Sequence, residues 1–316
     1  MTVEVGGAGS VGFAFESTLG TYVAPTKWIP IRSETLANPE DKVYRTNIRG
    51  VADRSGAIQG YVHVEGDIVF EVSSDILPYF MYAARVVPVK SGAGPWTYTF
   101  TPAHVAKATT AGGTTTRKTL SILTQRGGNP MAYTGCSVGQ LSFTVEGGVL
   151  VCTASMVGVN EAAQSPATPA WPTNAPFGPG KVTLEIPTST VRGDADTFTL
   201  VINDNLVAAN RLNGQRFAAY QNWGEREVTL SVETDFDVLT DFNAFVAQTL
   251  QAITLKAIGT PSSDELSIVL NAGVTDSYVV NLSSLGDVNR GVINYHGIYN
   301  TGDAYTVVCK TTENIT

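Results

Sequence analysis

The sequence predicts a mainly β chain, built as two tandem β-sandwich or barrel units with one flanking short α-helix each. Three observations carry that reading. Glycine (31) and proline (15) are frequent, and Thr, Ser and Val are heavily used, a composition of strands and turns rather than helices. Several segments alternate apolar and polar residues with period two, the mark of a half-buried strand. A strand, a hydroxyl or acidic stretch and a short helical segment also follow one another in the same order in both halves.

In chain order, residues 1–35 hold an N-terminal arm and the first strands, and residues 36–164 the first unit. Residues 66–72 alternate, Ser73, Ser74 and Asp75 offer an N-cap, and residues 76–82 are apolar at helical spacing. Pro78 falls in the first helical turn, where a missing N–H costs little. Strands follow at 119–123, 141–145 and 149–156. The polar tract 106–117, Thr-rich and carrying Gly112 and Gly113, reads as a long exposed loop. Five prolines bar 165–180 from being a central strand or helix interior, so this tract connects the units. The second unit, 181–316, has an alternating strand at 225–232, a cap at Glu233, Thr234 and Asp235, and a helix within 236–245. Its further strands are 265–269, 278–282, 292–299 and 305–309. In this alignment 119–123 matches 265–269, Leu77 and Phe80 match Leu239 and Phe242, and Glu65 and Asp67 match Glu225 and Glu227.

With 316 residues, 43% of them hydrophobic and 15% charged, the chain can bury a core. A net charge of -8 argues against a protein that grips nucleic acid through a basic face. The three cysteines, Cys136, Cys152 and Cys309, form no even framework and no C-x-x-C, and read as buried thiols. No basic n-region precedes an apolar h-region, and no run approaches a membrane span, so a soluble protein of a reducing cytosol is expected.

Three motifs imitate chemistry. Gly7-Ala-Gly9-Ser-Val-Gly12 matches G-x-G-x-x-G, but the dinucleotide fingerprint needs a long helix after its third glycine. Phe13, Phe15, Thr18, Gly20 and Pro25 do not make that helix; the glycines read as a flexible arm and no cofactor is expected. Gly135-Cys-Ser137-Val-Gly139 matches G-x-S-x-G, yet a period-two strand follows where the nucleophile elbow needs a helix. Ser137 therefore reads as a bulge or turn residue, and none of the three histidines has a recognisable catalytic setting. Asp194 and Asp196 lack the other ligands of a calcium loop, and no His/Cys cluster suits zinc. The reading is of a non-enzyme with no metal site.

The stretch beyond Gly12 carries more information. Glu16-Ser-Thr18-Leu-Gly20-Thr21, then Pro25-Thr-Lys-Trp28-Ile-Pro30-Ile31, then Ser33-Glu34-Thr-Leu36 resembles the major tail tube proteins of long-tailed bacteriophages, especially those of actinobacterial hosts. The resemblance continues through 45–50, 66–72, 133–137 and 224–232. It implies a structural virion protein, a homo-oligomer whose rings stack into the tail tube through which DNA is ejected. Inner strands of all subunits would join into a barrel around the lumen, and an N-terminal arm and long loops would touch neighbouring rings. Glu16, Thr18, Gly20 and Trp28 are the candidates for that arm. The implied partners are other copies of the chain, a tape-measure protein in the lumen, and terminator and distal tail proteins at the tube ends. Genomic DNA would pass without specific binding, and no membrane is involved.

Two expectations follow for the tube. The acids Glu65, Asp67 and Glu71 lie opposite Ile68, Phe70 and Val72 on one strand, and with Glu225 and Glu227 they are candidate lumen-lining residues. An outer solvated face accounts for the same alternation equally well. Two tube-like units per chain favour a pseudo-sixfold ring of three subunits, with six as the alternative. The rival to the whole reading is a β-sandwich carbohydrate- or host-surface-binding module, which would want an aromatic cluster where this chain has four scattered tryptophans.

Overall fold

Alternating residues build many of the strands, and the buried phase of most alternations faces one large core. In the computed structural model, which describes residues 9–47, 50, 53–54, 56–104, 107–108, 118–236, 239–261, 263–281 and 289–315, the first half runs β1 (Ser10–Phe15), β2 (Lys27–Ile29), β3 (Ile31–Glu34), β4 (Glu40–Tyr44), β5 (Ala57–Val62), β6 (Val64–Glu71) and α1 (Leu77–Ala83). It continues with β7 (Val86–Ser91), β8 (Trp96–Pro102), β9 (Lys107–Ala108), β10 (Leu120–Arg126), β11 (Asn129–Glu146), β12 (Val149–Gly158) and β13 (Asn160–Ala163). The second half holds β14 (Val182–Glu185), β15 (Ala195–Asn203), β16 (Leu206–Ala209), β17 (Tyr220–Trp223), β18 (Glu227–Asp235) and α2 (Thr240–Val246). It closes with β19 (Gln251–Ile258), β20 (Glu265–Asn281), β21 (Arg290–Gly297) and β22 (Tyr305–Thr311). Among the described residues the fold is mainly β, a sandwich with two short helices.

One layer is a row of eight antiparallel strands that spans both halves: β3, β6, β12, the C-terminal part of β11, β15, β18, β21 and the C-terminal part of β20. The halves meet inside this row, where β11 pairs with β15. Across the core lie two smaller groups, β2–β1–β10–β11–β13 and β14–β19–β20–β22–β8–β7. The long strands β11 and β20 serve both layers, their N-terminal parts in the second and their C-terminal parts in the first. The hairpin β7–β8, although it follows α1, extends the second half's group by pairing with β22.

The same six pairings occur in each half. β1–β10, β10–β11, β11–β12, β11–β13, β6–β12 and β3–β6 correspond to β14–β19, β19–β20, β20–β21, β20–β22, β18–β21 and β15–β18. Register breaks repeat too: between Leu120 and Ile122 as between Gln251 and Ile253, between Val138 and Gln140 as between Thr275 and Ser277, and between Ile31 and Ser33 as between Ala195 and Thr197. This correspondence corrects two sequence alignments. Residues 119–123 match β19, not 265–269, which start β20. Ile68 faces Ala154, the partner of Leu141, as Val232 faces Ile293, the partner of Tyr278. Val232, not Val228, thus holds the position of Ile68, so Glu65 and Asp67 correspond to Thr229 and Ser231.

Both helices lie where the sequence places them, with different surroundings. Leu77, Pro78, Tyr79, Phe80, Met81, Tyr82 and Ala83 are all buried, which an all-apolar helix requires. Phe80 stacks on Phe70 with ring centroids 4.7 Å apart and meets Phe13 edge-on. The expected N-cap side chains do other work: Ser73 donates to Asp75, Ser74 to Asp264, and Ile76 occupies the cap. By contrast no residue of α2 is buried. Its expected cap residues, Glu233, Thr234 and Asp235, instead end β18, and Leu239 occupies the N-cap without a side-chain hydrogen bond.

Within 106–117, Lys107 and Ala108 form β9 against β17, a strand where a loop was expected; the rest lies outside the described residues. The tract 165–180 contains no strand, but Phe177 in it is buried, donates to the Val72 carbonyl and accepts from Leu150. Replacing Phe80 by alanine is expected to cost about 3–5 kcal/mol, read as a lowered midpoint in urea denaturation of the free subunit.

Candidate functional site

The eight-stranded row has one apolar face and one polar face. Ile68, Phe70, Cys152, Ala154, Leu141, Phe143, Leu200, Ile202, Leu230, Val232, Ile293 and Tyr295 point into the core. The alternate residues point away from it, and they are mostly small and polar: Asp67, Ser155, Thr153, Gln140, Ser142, Thr144, Asn203, Thr229, Ser231 and Asn294. A cleft of about 490 Å³ on this side is lined in part by Glu65, Asp67, Gln140, Ser155 and Asn203.

Four of the five acids singled out in the sequence, Glu65, Asp67, Glu71 and Glu227, share this face. Glu225 does not: it precedes β18, where its carbonyl accepts from Asn205. The acids are not electrostatically alike. Glu71 is bridged by Arg32, which also holds Glu146 at 2.6 Å, and Glu65 lies 3.3 Å from His63. Arg290 is held in the same manner by Asp196 and Glu233. Period-two alternation marked these acids, but Arg32, which answers Glu71, comes from β3, which no local pattern joins to β6.

The opening motif turns out to be a packed knot. Ser10–Phe15 is a strand paired to β10, not an arm, and Gly7 lies outside the described residues. A Cβ on Gly12 would stand 2.7 Å from Pro25 and 2.9 Å from the Trp28 indole, so this glycine makes room for Trp28. Trp28 itself is buried against Leu123 and Ala132. Glu16 is only 3% exposed. Its carboxylate accepts from the Gly20 and Gly135 backbone N–H groups (2.9 and 2.7 Å) and from the Thr119 and Ser121 hydroxyls (2.8 and 2.9 Å). A buried charge needs such a full set of donors. Gly20 has φ +75, the left-handed turn that brings its N–H back to Glu16. Of the residues assigned to the arm, only Thr18 at the tip of this turn is exposed.

The other motifs are structural as well. Ser137 is fully buried inside β11 and donates to Gln221, whose amide donates in turn to the Gly135 and Val157 carbonyls. Burial, and Glu16 nearby, push the Cys136 thiol well above its ordinary pKa; burial does the same to Cys152 and Cys309. Asp194 is gripped by Arg192, whose hydrogen bonds hold its carboxyl below the usual range, and Arg192 also binds Asp241 of α2. Sequence reasoning missed Thr119, Ser121, Gly135 and Gln221, because the contacts they make are distant in the chain.

The sequence model of the family described as phage tail tube protein matches residues 6–298. No curated protein matches the chain.

The Glu16 knot gives a direct prediction. Glu16→Gln places an amide N–H₂ where two donors already point, and is expected to destabilise the subunit by about 3 kcal/mol. Thr119→Ala, which removes one donor of four, is expected to cost about 1 kcal/mol; equilibrium denaturation of both variants measures the difference.

Proposed function

The chain belongs to the phage tail tube family, a structural protein of the virion tail that self-assembles into stacked rings, and on that premise we propose the kind of ring it makes. Three chains close a pseudo-sixfold ring, each supplying two tandem tube-like units, and the polar face of the eight-stranded row lines the lumen. The observation that carries this reading is the row itself: both its end strands, β3 and the C-terminal part of β20, have one unpaired edge among the described residues.

Strand arithmetic favours three chains over six. About 24 strands, spaced by ~4.8 Å and tilted by ~40°, close a barrel about 50 Å across at the backbone. Side chains narrow that bore and still leave room for a DNA duplex. Six chains would double the diameter, and two would leave little clearance.

In this ring Glu65, Asp67, Glu71 and Glu227 face the passage, with Glu225 at its rim. The exposed turn around Thr18, shaped by Glu16 and Gly20, is the part of the N-terminal segment that touches a neighbouring ring; Trp28 supports it from the core. The tape-measure protein fills the lumen before DNA does, and terminator and distal tail proteins cap the tube. The protein works without catalysis or cofactor, and the duplex passes without specific binding.

Two experiments test this. Electron microscopy of the purified protein at rising concentration is expected to show stacked rings with an open centre and three chains per turn; uniform small particles at every concentration would overturn the reading. Charge reversal at Asp67 and Glu227 to lysine is expected to leave ring formation intact but make tubes retain duplex DNA at low salt, with retention falling steeply as salt rises. Equal retention by variant and wild-type tubes would remove these acids from the lumen.

A further inference from the structure

The ring reading, on which this inference rests, says that two sheet edges meet; the joint inside the chain says how. There, Leu141, Ser142 and Phe143 of β11 pair with Ile202, Val201 and Leu200 of β15. The repeated pairing scheme carries that joint to the ends of the row. β20 stands where β11 stands, with its register break at 275/277 in place of 138/140. β3 and the residues after it stand where β15 stands, and Ala37 bridges Glu65 as Val201 pairs with Thr229. We infer that Tyr278, Val279 and Val280 of one copy pair antiparallel with Asn38, Ala37 and Leu36 of a second copy.

Each edge bears the mark of a missing partner. On the β20 side, a shallow apolar groove of about 280 Å³ is lined by Phe236, Leu239, Phe242, Tyr278 and Val280. Leu239 is 59% exposed and Phe242 43%, whereas Leu141 and Phe143, at the positions of Tyr278 and Val280, are buried in the internal joint. Contiguous exposed apolar surface beside an open strand edge is what a second copy would cover.

On the β3 side, the edge is guarded. Glu34 accepts the Leu36 N–H at 2.6 Å, and Arg126, paired to Glu34, donates to the Leu36 carbonyl at 2.6 Å. Tyr133 donates to the same carbonyl. The positions of Glu34 and Arg126 in the internal joint are Phe198 and Ala257, which offer no such clasp. Charges that block a strand edge mark it as pairing-prone, and this one holds the groups that the second copy would bind. The side-chain oxygen of Asn38, in the same segment, is buried without a hydrogen-bond partner in the free chain. Joining thus exchanges the clasp on Leu36 for a backbone ladder.

Ala37 turns its N–H and carbonyl to β6, so Ala37 and Val279 form a non-hydrogen-bonded pair, the class with the closest side chains. Full-length Ala37→Cys and Val279→Cys proteins, mixed, assembled and mildly oxidised, are therefore expected to give a disulfide-linked dimer on a non-reducing gel. Ser142→Cys with Val201→Cys in one chain is the positive control, and Thr35→Cys with Val279→Cys the register-shifted one. Rings in which 35/279 links and 37/279 does not would overturn the inference and leave the tube reading standing. Failure of the wild-type protein to form rings would overturn the reading beneath it. As a second arm, Phe242→Glu, at an exposed position, is expected to raise the concentration needed for assembly by about tenfold while the free subunit keeps its denaturation midpoint. Unchanged assembly would overturn the inference.

Discussion

The fold turns on backbone hydrogen bonding at one point of β11. A strand has two edges, and β11 serves four partners, so it must pass from one layer to the other partway along its length. At the crossing the ladders are interrupted in a buried place where unpaired N–H and C=O groups are costly. Two buried side chains resolve this. Glu16 takes the Gly135 N–H, and Gln221 takes the Gly135 carbonyl together with that of Val157. Gly135 itself is at φ +66, and a Cβ there would stand 2.5 Å from Val159. The glycine, the acid and the amide are one device, drawn from three distant segments, and the sandwich exists because the crossing is satisfied.

That device also explains which parts of the sequence were legible. Period-two strands such as β6 and β18 show themselves locally, because burial on one face imposes alternation. The helix α1, apolar throughout and opened by Pro78, is equally plain. The long strands β11 and β20 are not: Pro130, Gly135 and Gly139 break β11 into pieces that read as turns. Glu16 reads as an exposed charge because most glutamates are exposed; nothing local announces Thr119, Ser121 or Gly135 as its donors. The alignment of the halves slipped by four residues for a related reason. In Val/Thr/Ser alternation every even shift fits about as well as the next, and only the bulges, invisible in sequence, fix the register.

The two halves of the chain use one pairing scheme but finish it differently. The first half is sealed: α1 lies under aromatic side chains from β1 and β8, and the hairpin β7–β8 crosses to the second half's sheet. The second half is open: between α2 and β19 there is no corresponding hairpin, and no residue of α2 is fully buried. An unsealed sandwich end on one side and a clasped edge on the other make the chain polar along its row of strands. That polarity is what a head-to-tail ring needs, since each joint then unites unlike surfaces.

The charge pattern of the polar face bears on passage of DNA more than the acids do alone. Adhesion of a duplex grows with each cation that reaches a phosphate and releases counterions. Arg32 and Arg290, the arginines bordering this face, are each held between two carboxylates, Glu71 and Glu146 for one and Asp196 and Glu233 for the other. Between them the face is mainly hydroxyl and amide, groups that hydrogen-bond water as readily as phosphate. In the proposed ring, low adhesion thus comes from two sources. Acids set a repulsive background, and ion pairing leaves its arginines already occupied. A surface that was merely acidic would gather cations, and through them the duplex; a hydroxyl-rich surface with compensated charges leaves the passing strand no fixed partner.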